Sequence, residues 1–242
     1  MAAAAGRKGD YPRAIRILGE LISESEAPPE AWLLLGRSFH ALKNYSRALA
    51  AYNDYLKFRP RSGQGYFFAG RTYLTLGMPY RAVPFFKKAL DREPRGVYTM
   101  AFLGMAYLRS KHSGLAVEMF RRAVETAAED RLPEEPARRL YRAYLNALLV
   151  RGVRLCRAEE YVLGIQMLRF VLDNGQGGEG GEAGIDGPFL RLELGRACRE
   201  MGRLEEALEH YSRALEFSPH DRRIRWYRAS ILMSLGKNSE AR

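Results

Sequence analysis

The residues equipped for chemistry in this 242-residue chain are few and scattered. Four histidines, His40, His112, His210 and His220, form no HxxxH or HExxH pair, the spacing that aims two side chains of one helical face at a metal ion. Cys156 and Cys198 lie on apolar helical stripes rather than at a metal-ligand interval, and read as small buried thiols of a reducing compartment. Glu205, Glu206 and Glu209 are close enough in sequence for paired-carboxylate catalysis, yet they run alongside Arg203 and Arg213 and read as the solvated face of a helix. The run Asn174-Gly175-Gln176-Gly177-Gly178-Glu179-Gly180-Gly181-Glu182-Ala183-Gly184 would cradle a phosphate only with a strand before it and Gly-Lys-Ser/Thr after it. It has neither, so a flexible surface loop is expected. No catalytic, cofactor or metal site is expected, and the chain reads as a non-enzyme.

One charged group is in excess. The net charge is +11 with a sequence pI near 9.8, and 32 of the 39 basic residues are arginine. Such a surface attracts acidic partners. Three of these arginines recur in register: Arg37, Arg71 and Arg196 directly follow Gly36, Gly70 and Gly195. A helix advances about 100° per residue, which turns each guanidinium off the stripe its glycine occupies and onto the flank. Met105, Val153 and Ser230 hold the corresponding places elsewhere, so the row is broken.

The elements that position these groups follow from a ladder of small residues. Gly36, Gly70 and Gly104, shadowed by Ala48, Ala82 and Ala116, each step by 34 residues. A period of this size means supersecondary units stacked in a row. One unit carries Trp32, Leu35, Gly36, Phe39, Ala48, Tyr52 and Pro60; the next Tyr66, Gly70, Tyr73, Ala82, Phe86, Ala89 and Pro94; the third Met100, Leu103, Gly104, Tyr107, Ala116, Phe120 and Ala123. Apolar residues three and four apart make one buried stripe per helix, and the small positions let two antiparallel helices approach closely. The step then widens to 48 from Gly104 to Gly152, and to 43 from Gly152 to Gly195. The first insertion, from Arg131 to about Tyr144, is read as a long N-terminal extension of a helix with Pro136 in its first turn; the second is the glycine-rich loop. Leu194, Gly195, Cys198, Gly202, Ala207, Tyr211, Ala214 and Pro219 restore the pattern.

This pattern resembles the tetratricopeptide repeat, W-x2-L-G-x2-Y followed by A-x3-F and then A and P, over about nine tenths of the chain. The resemblance implies an all-α solenoid, a right-handed superhelix of antiparallel helix pairs. A single repeat domain over residues 1–242 is expected: a partial unit at about 10–27, regular units at 29–62, 63–96 and 97–130, an extended unit at 131–178, the loop at 179–187, a regular unit at 188–221 and a truncated unit at 222–242. First helices of this family line a concave groove that takes extended or helical peptides. Arg37, Arg71 and Arg196 would then form a guanidinium row there, with Phe67 and Phe102 as apolar pockets. Guanidinium groups bind carboxylates bidentately and aromatic rings anchor side chains, so an acidic peptide with apolar residues is the expected ligand. The Lys and Asn set with which co-chaperone members clamp a C-terminal carboxylate is replaced by Leu33, Arg37, Phe68, Tyr98 and Phe102, so that clamp is absent.

The leading expectation is a protein-interaction scaffold with a basic, partly aromatic groove. The alternatives are a regulatory or substrate-docking segment of a larger enzyme, and a nucleic-acid-binding helical repeat. The last draws on Arg138, Arg139 and Arg142 and on Arg222, Arg223, Arg225 and Arg228, but no recurring base-reading pair accompanies them. No stretch of 18 apolar residues is present, and the opening residues have no basic segment ahead of an apolar one, so no membrane span and a cytoplasmic location are expected. Both ends read as cut inside a repeat. The apolar residues Ile224, Trp226, Tyr227, Ile231, Leu232 and Leu235 with little chain after them lead to an expectation of self-association through the C-terminal end.

Overall fold

A computed structural model describes residues 9–23, 27–175 and 187–237. The glycine-rich loop lies outside these residues, save for Asn174, Gly175 and Gly187 at its margins, as do Asn238 to Arg242. The described chain is all helix and turn, with no strand. It divides into two compact units, Met1–Leu132 and Pro133–Arg242.

The first unit contains α1 (Tyr11–Ser23), α2 (Pro29–Ala41), α3 (Tyr45–Phe58), α4 (Gly63–Thr75), α5 (Pro79–Arg92), α6 (Val97–Arg109) and α7 (Ser113–Glu129). The second contains α8 (Glu134–Arg157), α9 (Tyr161–Asn174), α10 (Gly187–Glu200), α11 (Leu204–Phe217) and α12 (Arg222–Ser234). Within each unit every helix packs on its sequence neighbours, and the alternate helices α2, α4 and α6, like α8 and α10, also touch. Helix starts are set locally. The side chains of Asn44, Ser62 and Asp221 accept hydrogen bonds from the backbone N–H groups of Arg47, Gly65 and Arg223, satisfying donors that the first turn leaves open. The extension expected after Arg131 is the front of the 24-residue α8, with Pro136 in its first turn.

Helix pairs are closed by the small-residue ladder. A Cβ placed on Gly36 would fall 2.6 Å from Tyr52 Cδ1, on Gly70 3.0 Å from Phe86, on Gly104 2.9 Å from Phe120, on Gly152 2.9 Å from Leu168 and on Gly195 2.6 Å from Tyr211. These ring and leucine partners are all fully buried. Between the helices of a pair the chain turns through one left-handed residue: Lys43, Gly77 and Lys111 in the first unit, Glu159 and Gly202 in the second. The residue after it donates its N–H five positions back, as Asn44 does to Phe39 and Met78 to Tyr73, which is the Schellman closure.

At the C-terminal end α12 is less open than its composition suggests. Ile224, Ile231 and Leu232 are at most 1% exposed, leaving Trp226 and Met233 as the exposed large apolar side chains of that helix.

The glycine crossings and the left-handed turns both bear on stability. Gly70→Leu drives a side chain into Phe86 and lowers the unfolding free energy by about 1–3 kcal/mol; an unchanged melting midpoint would refute the crossing. Lys43 is exposed and holds φ at 60°, so Lys43→Gly removes a left-handed Cβ and raises stability by roughly 1 kcal/mol in denaturant unfolding, with loss of stability as the contrary result.

Candidate functional site

The first unit gathers two of the three in-register arginines on one ring. Gly36 and Gly70 face α3 and α5, so the next residues, Arg37 and Arg71, emerge on the flanks of α2 and α4. The guanidinium carbon of Arg37 lies 5.2 Å, and that of Arg71 5.0 Å, from the centroid of the Phe68 ring. This is cation–π geometry for both. Phe68 is itself stacked on Tyr52, with centroids 5.9 Å apart and planes at 18°. Among the described residues neither Arg37 nor Arg71 has a carboxylate in ion-pair contact.

The polar atoms around Arg71 are short of partners. Arg71 Nε, Tyr52 Oη and His40 Nε2 are buried without a hydrogen bond. Burial is the main cause that lowers the Arg71 pKa, with Arg37 adding to it and Tyr52 opposing. Burial likewise raises the Tyr52 phenol above its usual range, against the pull of Arg71 and Arg37. A buried polar group without a partner is costly, so a positive, under-satisfied cluster of this kind favours an anionic group with lone pairs to offer.

Beside the ring lies a cavity of about 300 Å³ lined by Arg37, Gln64, Phe67, Phe68, Glu93, Gly96, Val97, Tyr98 and Thr99. Its walls carry a cation at Arg37 and a carboxylate at Glu93, with Phe67 and the 60% exposed Tyr98 as apolar surface. Phe102 does not line it. That ring meets Phe67 edge-on at 5.4 Å and Phe86 at 6.0 Å, packed against the core as the support behind Phe67.

Arg196 belongs to the second unit and has a different environment. It and Arg199 lie 6.0 and 5.2 Å from the Tyr227 ring, which stacks on Tyr211 at 5.5 Å and 13°. Arg196, Tyr211 and Tyr227 stand at the repeat positions of Arg37, Tyr52 and Phe68, each pair 159 residues apart. The stack is therefore repeated, but its charge is not free: Arg196 pairs with the buried Glu193 at 3.3 Å, and Arg199 with Glu200. Leu34 and Ala41 occupy the places of those two acids in the first unit.

In the sequence Phe68 and Tyr98 stand out only as replacements for a missing clamp, Tyr52 only as a packing residue and His40 only as an unpaired histidine, and Glu93 carries no signal. The spacing of Phe68 to Arg71, one helical turn, was the available signal for the ring contact. The residues with catalytic chemistry also differ from expectation at one place. Glu206 is not part of a purely solvated face; it is half-buried, tied to Arg169 and near Cys198 and His210. Burial, reinforced by Glu206, pushes the Cys198 thiol up to about 12, which keeps it protonated and a poor nucleophile. Cys156, also buried and free, is raised by burial too.

Family models described as tetratricopeptide repeat match residues 1–63, and residues 63–95 and 97–130; a further TPR repeat model matches residues 195–236. No curated protein sequence matches the chain. Among solved structures, YrrB, a TPR protein with an unusual peptide-binding site, is similar with a TM-score of 0.58 and 19% identity over 86% of this chain and 94% of its own. The MamA protein is similar with a TM-score of 0.55 and 18% identity over 78% and 90%. The Naa15/Naa10 complex bound to HypK-THB contains a chain similar with a TM-score of 0.65 and 16% identity; it covers 99% of the present chain, which spans 34% of that one. At these identities the likeness is one of fold. Among the described residues no helix is long and apolar enough to cross a membrane.

The site also has a pH signature. Burial, and then the charge of Arg71, hold the His40 imidazole below its ordinary value. The unfolded chain then takes up a proton that the folded chain refuses, so the contribution of His40 is complete above about pH 6.5 and is lost as pH falls below it. Unfolding free energy is expected to decline between about pH 7.5 and 5.5, and His40→Gln to reduce that decline, as read by denaturant titrations. An unchanged pH dependence in the variant would remove His40 from the account.

Proposed function

Because the chain belongs to the tetratricopeptide repeat family, we propose that it is a protein-interaction scaffold whose first unit takes an extended acidic peptide at Arg37 and Arg71. A carboxylate of the peptide meets the two guanidinium groups over Phe68, and an adjacent apolar side chain enters the cavity beside Phe67. Phe102 acts from behind Phe67, and Arg196, already neutralised by Glu193, supplies orientation to its own unit rather than a free cation. The observation that carries this reading is the pair of arginines sharing one ring without a carboxylate of their own.

Three of the seven arginines in the stretches that favoured nucleic acid are paired with acids of their own helices or caps. Arg138 pairs with Glu134 at 2.5 Å, Arg139 with Glu135 at 3.7 Å and Arg223 with Asp221 at 3.0 Å. Self-association through the C-terminal helix is supported by Trp226 and Met233 alone, since its other large side chains Ile224, Ile231 and Leu232 are buried.

The charge-reversed Arg37→Glu, Arg71→Glu double variant is expected to lose at least about tenfold in affinity for a labelled Asp/Glu-rich peptide containing leucine and phenylalanine, a change of about 1.4 kcal/mol. Arg71 is half-buried, so circular dichroism must show unchanged helix content for the affinity loss to count. Fluorescence anisotropy reads both the affinity and its decline with salt. Equal binding by the double variant would dismiss the arginine pair.

A further inference from the structure

In the second unit the α10–α11 hairpin assembles three donor groups that sequence spacing keeps apart. Cys198 Sγ, a carboxylate oxygen of Glu206 and an imidazole nitrogen of His210 all lie within 4.8 Å of one another. α10 supplies the cysteine, and α11 supplies Glu206 and His210 one turn apart, where four-residue spacing puts two side chains on the same face. Cys198 is fully buried, the His210 side chain is 12% exposed and that of Glu206 27% exposed, so the cluster is enclosed on most sides and reachable from one. His210 Nε2 is 3.7 Å from Glu206 Oε1, while its Nδ1 is buried with no hydrogen-bond partner.

We propose that Cys198, Glu206 and His210 form a binding site for a divalent transition ion of the Zn²⁺ type. Thiolate, imidazole and carboxylate together are the donor mixture of a borderline-soft ion, not of Mg²⁺ or Ca²⁺, which take oxygen alone. Tetrahedral Zn²⁺ holds such atoms roughly 3.3–3.6 Å apart, so rotamer movements of about 1 Å close the cluster around it and leave the fourth position to water. As the sulfur–metal bond forms, the Cys198 thiol gives its proton to solvent and keeps its electron pair for the ion. The thiolate and the Glu206 carboxylate then balance the two charges of the ion.

The surrounding charges set the strength of the site. Arg169, reaching in from α9, holds Glu206, and Arg203 lies 3.8 Å from its other oxygen. Arg191 and Glu209 act on His210 from a greater distance, with opposite signs. Arg169 is therefore the competitor: it occupies a carboxylate oxygen that the ion needs. Removing its charge strengthens metal binding.

Co²⁺, which reports thiolate ligation through a charge-transfer band in the near ultraviolet, is the probe for an untagged full chain. One Co²⁺ per chain with that band, bleached by added Zn²⁺, is the expected result. Cys198→Ala should abolish the band, Cys156→Ala should retain it, and His210→Ala should shift the titration midpoint at least tenfold upward. Arg169→Gln, a change at a half-exposed side chain, should shift the midpoint severalfold downward. Absence of the band in the unaltered chain overturns the site, as does its survival in Cys198→Ala. Should Cys198→Ala lose helix content, midpoints for His210→Ala and Arg169→Gln equal to that of the unaltered chain overturn it instead.

Discussion

Where the two helices of a pair cross, the first has room for a hydrogen atom and no more. Gly36 against Tyr52, Gly70 against Phe86, Gly104 against Phe120 and Gly195 against Tyr211 are the same contact made four times, and Gly152 against Leu168 is its aliphatic form. The rest of the site depends on it. Once the glycine is pressed against a ring, the following residue is rotated onto the flank, which is how Arg37 and Arg71 come to leave the core. Tyr52 joins the two levels, because it fills the space opposite Gly36 and also stacks on Phe68, the ring that receives both guanidinium groups. The arginine-bearing ring and the helix packing are thus one continuous set of contacts, and the orientation of Phe68 is fixed from below.

Much of this was legible in the sequence for a physical reason. A position that tolerates only a small residue repeats visibly, so the 34-residue ladder, the helix pairing and the 24-residue α8 could be read from glycines, alanines and prolines. Contacts between helices of different pairs leave no such trace. Arg37 meets Phe68 across adjacent first helices, 31 residues away, where no local period links them. The Cys198, Glu206 and His210 cluster was hidden likewise, because its cysteine lies on the other arm of a hairpin; only the four-residue step from Glu206 to His210 was there to be seen. The pairing of Arg196 with Glu193, three residues back on one helix, was open to reading from that spacing.

The two units show how a repeated scaffold diverges without changing its packing. Tyr52 with Phe68 and Tyr211 with Tyr227 are near-parallel stacks at matching positions, and each presents its second ring to two arginines. Glu193 and Glu200 satisfy Arg196 and Arg199 of the second unit from within. In the first unit Leu34 stands at the place of Glu193, and the second arginine, Arg71, stands at the place of Ser230, with no carboxylate in ion-pair contact with either Arg37 or Arg71 among the described residues. Surface chemistry in such an array can change at single positions while the ring stack below it is retained.

The turns inside the pairs have a consequence of another kind. In an array whose units interact mainly with their neighbours, opening is local, and it begins where the native backbone is least comfortable. Gly77 and Gly202 accept a left-handed conformation freely, but Lys43, Lys111 and Glu159 hold it against the steric cost of a Cβ. At two of these three places the residue that relaxes first is a lysine, whereas the connections between pairs carry arginines, Arg59, Arg61 and Arg95. Limited digestion of the first unit with a lysine-specific protease would therefore separate the two arms of a helix pair before it separated one pair from the next, so that the earliest fragments would carry half-repeats at their ends.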